Sequence, residues 1–195
     1  GLTVLRDQSF SFSSFESDRF NDNILSLCND GYRYYLGGES GILVTKTTGT
    51  GTDYFLGRNN GLPSDKITAL YKDAQNTIWI GTSRSGVYRM KAGSRSVELF
   101  SFSQNSLENI INRIIGDKNN IWIGTNGGLI NFNLSNGKEK HYTTTERLPH
   151  NKINDILIDL KGDVWIATRS NGLFCMTSPP GYTIESNTEL EFVSI

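Results

Sequence analysis

Along this chain, apolar runs of about five residues alternate with polar clusters, and the alternation itself repeats. Four segments align on an aromatic residue followed by an aliphatic and a small pair: Tyr35-Leu36-Gly37-Gly38, Trp79-Ile80-Gly81-Thr82, Trp122-Ile123-Gly124-Thr125 and Trp165-Ile166-Ala167-Thr168. The aromatic positions fall 44, 43 and 43 residues apart. Upstream of each lies a pair of aliphatics in an i, i+3 relation: Ile24 and Leu27, Ile67 and Leu70, Ile111 and Ile114, Ile153 and Ile156. That spacing alone admits a helix. Each run is short and ends in a turn cluster, however, which favours a buried strand. The clusters are Asn29-Asp30-Gly31, Asp73-Ala74-Gln75-Asn76, Asp117-Lys118-Asn119-Asn120 and Asp159-Leu160-Lys161-Gly162. Asp, Asn and Gly provide side-chain caps and positive φ, so hairpin turns are predicted.

After each aromatic anchor a glycine opens a third strand, at Gly41 to Val44, Gly86 to Arg89, Gly128 to Asn131 and Gly172 to Cys175, and Gly1 to Val4 fits the same place. A fourth strand follows at Tyr54 to Leu56, Val97 to Phe102, Glu139 to Thr143 and Glu189 to Ser194, with Phe10 to Phe15 as the copy in the incomplete first unit. Gly61-Leu62-Pro63 and Arg147-Leu148-Pro149 then lead into the next unit, with Ser106-Leu107-Glu108 as a degenerate copy. Proline donates no hydrogen bond to a sheet, so it suits a crossover.

Four-stranded units of this length are the spacing of propeller blades. The predicted fold is all-β, a β-propeller segment of four-stranded antiparallel blades: strands three and four of one blade in 1–22, then blades at 23–62, 63–106, 107–149 and 150–195. Because the pattern opens partway through a unit, an excised piece of a larger propeller is expected, with Gly1 as a remnant of tag removal. Trp79, Trp122 and Trp165 should each wedge between successive blades, contributing roughly 1.5–3 kcal/mol by area burial. The small pair after each anchor is expected to let the backbone turn tightly beside the ring. An arc of blades leaves two end faces to be covered, by adjoining blades of a longer chain or by a second copy in a homodimer.

Composition narrows the function. Nineteen Lys and Arg against twenty Asp and Glu give a net charge of -1, which supplies no field for a nucleic-acid backbone or an anionic membrane. No run approaches the roughly 20 apolar residues of a membrane span. Cys28 and Cys175 lie in different predicted strands without metal or redox spacing and are expected to be buried free thiols.

The pattern of Asp, polar turn, Ile or Val, Trp, Ile, Gly or Ala, Thr, then Gly-Leu resembles the two-component regulator propeller repeat. Ile78 to Thr82, Ile121 to Thr125, Val164 to Thr168 and the Asn60-Gly61-Leu62-Pro63-Ser64 connector carry the resemblance. The first complete blade departs from it, with Tyr35 for Trp and Gly38 for Thr. The resemblance implies the periplasmic sensor region of a hybrid two-component histidine kinase and response regulator, sensing an oligosaccharide. The kinase residues would lie in other parts of such a receptor.

No catalytic or metal constellation survives inspection, and no cofactor is expected. Gly81 to Ser85 lacks the second glycine of a nucleophile elbow, and Asp159 to Trp165 is one residue too long for the Asp box of sialidases. His141 and His150 have no partner at metal spacing. Glu139 with Glu146, or Asp65 with Asp73, could form a glycosidase pair only at the ~5–9 Å separation such chemistry needs. Ligand binding is the better expectation. Loops between second and third strands, together with the crossovers, should share one face and carry Glu39, Arg84, Asn126, Arg169, Asn171, Asn60 and His150, whose amides, guanidinium groups and carboxylate can bond sugar hydroxyls. The rival readings are a structural or dimerising scaffold and a propeller lyase or hydrolase.

Overall fold

A computed structural model describes residues 2–6, 9–13, 23–47, 52–63, 66–101, 103–177 and 191–194. Of the residues named above, Gly1, Phe15, Ser64, Asp65, Phe102 and Glu189 lie outside them. Strands β1 (Leu2–Arg6) and β2 (Ser9–Ser13) pair as a two-stranded antiparallel sheet. Four four-stranded sheets follow. The first comprises β3 (Ser26–Asn29), β4 (Arg33–Gly37), β5 (Ile42–Lys46) and β6 (Thr52–Leu56), and the second β7 (Ile67–Lys72), β8 (Thr77–Thr82), β9 (Val87–Lys91) and β10 (Glu98–Ser101). The third comprises β11 (Ile111–Gly116), β12 (Asn120–Thr125), β13 (Leu129–Asn133) and β14 (Glu139–Tyr142), and the fourth β15 (Ile153–Ile158), β16 (Val164–Thr168), β17 (Leu173–Thr177) and β18 (Glu191–Ser194). Each is an antiparallel meander in chain order, and first strands lie against one another, β3 on β7, β7 on β11 and β11 on β15. The chain is a β-propeller segment.

The i, i+3 aliphatic pairs have a specific cause. Register slips between Ile67 and Ala69, between Ile111 and Arg113, and between Ile153 and Asp155, so the first strands of the second, third and fourth sheets each carry an extra residue. A bulge of this kind brings i and i+3 to one side of a strand. Ile67 and Leu70, Ile111 and Ile114, and Ile153 and Ile156 therefore share buried clusters. The inserted residue also ties sheets together. Thr68 Oγ1 donates to the Ile111 carbonyl at 2.5 Å and Asn112 Nδ2 to the Ile153 carbonyl at 2.6 Å. Ser26 Oγ makes the matching bond to the Ile67 carbonyl at 3.1 Å.

The anchor aromatics pack forward onto the next sheet. Tyr35 joins Ile67, Ile78 and Ile80; Trp79 joins Ile111, Ile121 and Ile123; Trp122 joins Ile153, Val164 and Ile166. These three anchors are at most 1% exposed. Trp165, in the last described sheet, is only half-buried.

The small pair plays a different part from the one expected. A Cβ on Gly81 would stand 2.5 Å from Ile111 Cγ2, and one on Gly124 2.8 Å from Ile153 Cγ2, so these glycines admit the next sheet's isoleucine. The threonine caps the loop that follows: Thr82 Oγ1 donates to the Gly86 carbonyl and Thr125 Oγ1 to the Gly128 carbonyl, both at 2.8 Å.

The aspartates of the first turns are clasps. Asp73 is 2% exposed. Its carboxylate accepts the Gln75 and Thr77 amides at 2.9 and 2.8 Å and the Trp79 indole N–H at 2.8 Å. Asp159 repeats this with the Lys161 and Asp163 amides and the Trp165 indole, and Asp30 with the Tyr32 and Arg33 amides and the Tyr35 hydroxyl. In the third sheet Asp117 takes the Asn119 and Asn120 amides, and the Trp122 indole N–H has no partner. Cys28 is partly buried, Cys175 is buried, and both are free thiols.

Candidate functional site

The loops between second and third strands meet the crossovers in a common rim. In the second, third and fourth sheets the residue after the capping threonine donates its amide to the residue before the first strand: Ser83 to Lys66 at 3.0 Å, Asn126 to Ile110 at 3.2 Å and Arg169 to Lys152 at 3.1 Å. The threonine hydroxyl in turn accepts an amide from inside the loop, from Ser85, Gly127 or Asn171. Each loop is thus fixed to the entry of its own sheet.

The expected ligand residues divide on this rim. Glu39 forms a 2.7 Å ion pair with Lys66 that bridges the first two sheets. Asn126 Oδ1 accepts from Asn112 Nδ2 at 2.9 Å, beside the bond by which Asn112 reaches the fourth sheet. His150 Nδ1 accepts the Lys152 amide at 2.9 Å, and the Lys152 carbonyl accepts the Arg169 amide. The side chains of Arg84, Arg169 and Asn171 are exposed. Asn60 does not join them. Its Oδ1 accepts the Gly57 amide and its Nδ2 donates to the Arg95 carbonyl, so it secures the short 3-10 turn Arg58–Asn60 against the second sheet. A shallow depression of about 400 Å³ beside Phe55 and Arg58 is lined by Asn59 and Asn60.

The acids considered as a catalytic couple have structural work. Glu146 accepts the Thr143 amide and hydroxyl, which with the Thr143 bond to Thr145 forms a capping box. Glu139 and Glu108 flank His141, each 3.5 Å from a ring nitrogen. Among the described residues no group of three or more His, Cys, Asp or Glu could hold a metal ion, and no helix is long and apolar enough to cross a membrane.

A larger cavity, of about 560 Å³, opens at the other end of the sheets. It lies between the second and third sheets in front of Trp79, walled by Arg89, Lys91, Glu98 and Phe132. No motif in the sequence marks it, because its residues come from strand faces and turns that are individually unremarkable. The legible signal was turn length: residues 92–97 join β9 to β10, and the shorter 134–138 join β13 to β14.

Comparison with known proteins agrees with this architecture. Residues 61–84 match the family model described as two component regulator propeller. The chain is similar to the extracellular domain described as that of hybrid two component system BT4673 from B. thetaiotaomicron, with 25% identity and a TM-score of 0.71 over 95% of this chain and 23% of that one. The corresponding domain of BT3049 from the same organism matches with 22% identity and a TM-score of 0.57, over 89% of this chain and 28% of that one. The computationally designed Ika4 protein shares the fold at 15% identity and a TM-score of 0.64, over 85% of this chain and 96% of that one. The chain thus spans about a quarter of the length of the two extracellular domains. No curated protein matches it.

Proposed function

For a chain that carries the two-component regulator propeller repeat, we propose a place in the periplasmic sensor region of a hybrid two-component regulator, where it takes part in recognising an oligosaccharide. The observation that carries this reading is the match over 95% of the chain to an extracellular domain of such a system. The rim supports it chemically. Arg84, Arg169 and Asn171 stand on loops fixed by threonine caps, and His150 is held by the Lys152 amide; such preset donors and acceptors lose little freedom on meeting sugar hydroxyls. Phosphotransfer would belong to other parts of the receptor, and a signal would require a ligand with different affinities for two arrangements of the whole.

A second reading has its own observation. In the fourth sheet Leu157 is 59% exposed and Leu173 44%, whereas Val87 and Leu129, at the place of Leu173 in the preceding sheets, are buried. That face, with half-buried Trp165 and exposed Asn154, has the makings of another forward interface. Its occupant would be an adjoining blade or a second copy of the chain. Calorimetric titration with glycan oligosaccharides, followed by chromatography for products and light scattering for mass, tests these readings together. Binding without turnover supports sensing, silence with a stable dimer supports the scaffold, and cleavage products would replace both with a propeller hydrolase or lyase.

A further inference from the structure

Successive sheets close the space before their anchor in different ways. Between the first and second sheets, the turn joining β9 to β10 folds back over the gap. The Gly93 amide donates to the Tyr35 hydroxyl at 2.8 Å, the Tyr54 hydroxyl donates to the Ser94 carbonyl at 3.4 Å, and the Arg95 guanidinium stands 4.5 Å over the Tyr54 ring. Between the second and third sheets, the equivalent turn joining β13 to β14 bonds to its own sheet instead. The Ser135 and Asn136 amides donate to Asn133 Oδ1, and the Leu134 amide to the Asn119 carbonyl. The space before Trp79 is left open, and it is the cavity of about 560 Å³.

The walls define what would fill it. Trp79 and Phe132 each meet the Phe100 ring edge to face, with centroids 4.7 and 4.8 Å away, and lie tilted 5.9 Å from one another, and Phe132 is partly exposed at the cavity wall. Charges around the cavity balance. Arg89 is paired with Glu98 at 2.6 Å, Lys91 donates to Thr77 Oγ1 at 3.0 Å, and the Asp73 carboxylate is committed to its turn and to Trp79. An anion would meet two carboxylates, a cation would meet Lys91 and Arg89, and a purely apolar molecule would strip water from all of these groups without replacing their bonds. A neutral molecule with hydroxyls around its edge and a C–H face suits an aromatic wall ringed by donors and acceptors. The volume lies in the range of small-molecule sites.

We infer that this cleft between the second and third sheets binds a neutral saccharide of one or two rings, its C–H face toward Phe132 and its hydroxyls toward Arg89, Lys91 and Glu98. The inference rests on the sensing role proposed above, and places the ligand at the end of the sheets opposite the loop rim.

The test is calorimetric titration of the chain with maltose, cellobiose, lactose and xylobiose, comparing wild type with three variants. Ser96→Trp fills the cleft from an exposed lining position, Gln75→Ala removes an exposed lining amide, and Lys161→Ala alters only an exposed turn of the fourth sheet. Thermal unfolding midpoints establish that each variant is folded, and Gln75→Ala decides the matter if Ser96→Trp is not. The expected result is a disaccharide that binds wild type and Lys161→Ala alike, at least tenfold more weakly to Ser96→Trp and several-fold more weakly to Gln75→Ala. Binding that survives both cleft variants unchanged overturns the cleft and leaves the sensing role standing. Silence of wild type toward all four sugars overturns both.

Discussion

Replacing Asp73 by alanine tests whether the clasp between turn and anchor stabilises the sheet stack. The substitution leaves three donors without their acceptor: the amides of Gln75 and Thr77 and the indole N–H of Trp79. Gln75 is exposed, so its amide finds water. Thr77 is 8% and Trp79 1% exposed, so their groups stay buried and unsatisfied. Each such group costs about 1–3 kcal/mol, for a loss of about 2–6 kcal/mol, against the roughly 5–15 kcal/mol typical of a folded domain. Asp117→Ala is the internal control. Asp117 holds the backbone amides of exposed Asn119 and buried Asn120 and, at 3.3 Å, the Asn120 side-chain amide, but not the Trp122 indole, so both buried groups it orphans are on Asn120, at a cost of about 2–6 kcal/mol. Urea unfolding followed by far-ultraviolet circular dichroism and by tryptophan fluorescence gives both values. The two signals must coincide, because stacked repeats can unfold in stages. Adding Trp79→Phe to each background completes the cycle: after Asp73→Ala it should cost less than in wild type, whereas after Asp117→Ala its cost should be unchanged. Absence of coupling between Asp73 and Trp79 would refute the clasp.

Arg147 sits at φ 68 at the end of its 3-10 turn, where the equivalent Gly61 has φ 96. Arg147→Gly should therefore raise the unfolding free energy by about 0.5–1 kcal/mol, measured by urea titration, and a loss would contradict the strain argument. Burial pushes the Asp30 carboxyl upward, but bonds from the Tyr35 hydroxyl and the Tyr32 and Arg33 amides outweigh it, and Asp159 is lowered by the Trp165 indole above all. Both carboxylates thus take up protons less readily folded than unfolded, so their stabilisation is full above about pH 4 and is lost as pH falls further. Urea midpoints between pH 7 and pH 3 should show the decline, and Asp30→Asn should flatten part of it; an unchanged slope would contradict the assignment. Burial, followed by the Asp30 charge, pushes the Cys28 thiol up to about 12. Iodoacetamide at pH 8 should label Cys28 slowly in the folded chain and rapidly in urea, as mass spectrometry would show.

The period, the strand order and the forward-packing anchors were legible because every unit repeats them, so any ambiguous segment could be read against three clearer ones. The reason behind two motifs was not. The i, i+3 aliphatics look helical because a bulge and a helical turn both bring those positions to one side, and only pairing register separates them. Gly81 reads as a turn residue because its constraint comes from Ile111, thirty positions later and on another sheet. The rim was legible as a set of loops, since loop position follows from strand order. Asn60 was misplaced because its partner, the Arg95 carbonyl, belongs to a turn whose path depends on the neighbouring sheet.

The departures from the repeat converge on the third sheet. Where the anchor is Trp and bonded, the clasping aspartate lies six residues before it, as in Asp73 with Trp79 and Asp159 with Trp165; where it lies five before, as in Asp30, the anchor is Tyr, whose hydroxyl reaches the carboxylate. The third sheet combines a five-residue spacing with Trp122, and neither that indole nor Asn131 Nδ2, on the residue paired with Trp122 across the strands, has a partner. The same sheet carries the short turn that leaves the cleft open toward the second sheet. One side of the third sheet thus holds unsatisfied buried donors and the other an unfilled cavity, and both lower the cost of moving it relative to its neighbours. The sensing role proposed above would need an element whose two arrangements differ little in free energy, so that the differential affinity of a small ligand could choose between them. The third sheet keeps its inter-sheet bonds at Ile111 and Asn112, but it alone of the four lacks the bond from aspartate to anchor, and it comes nearest to that condition.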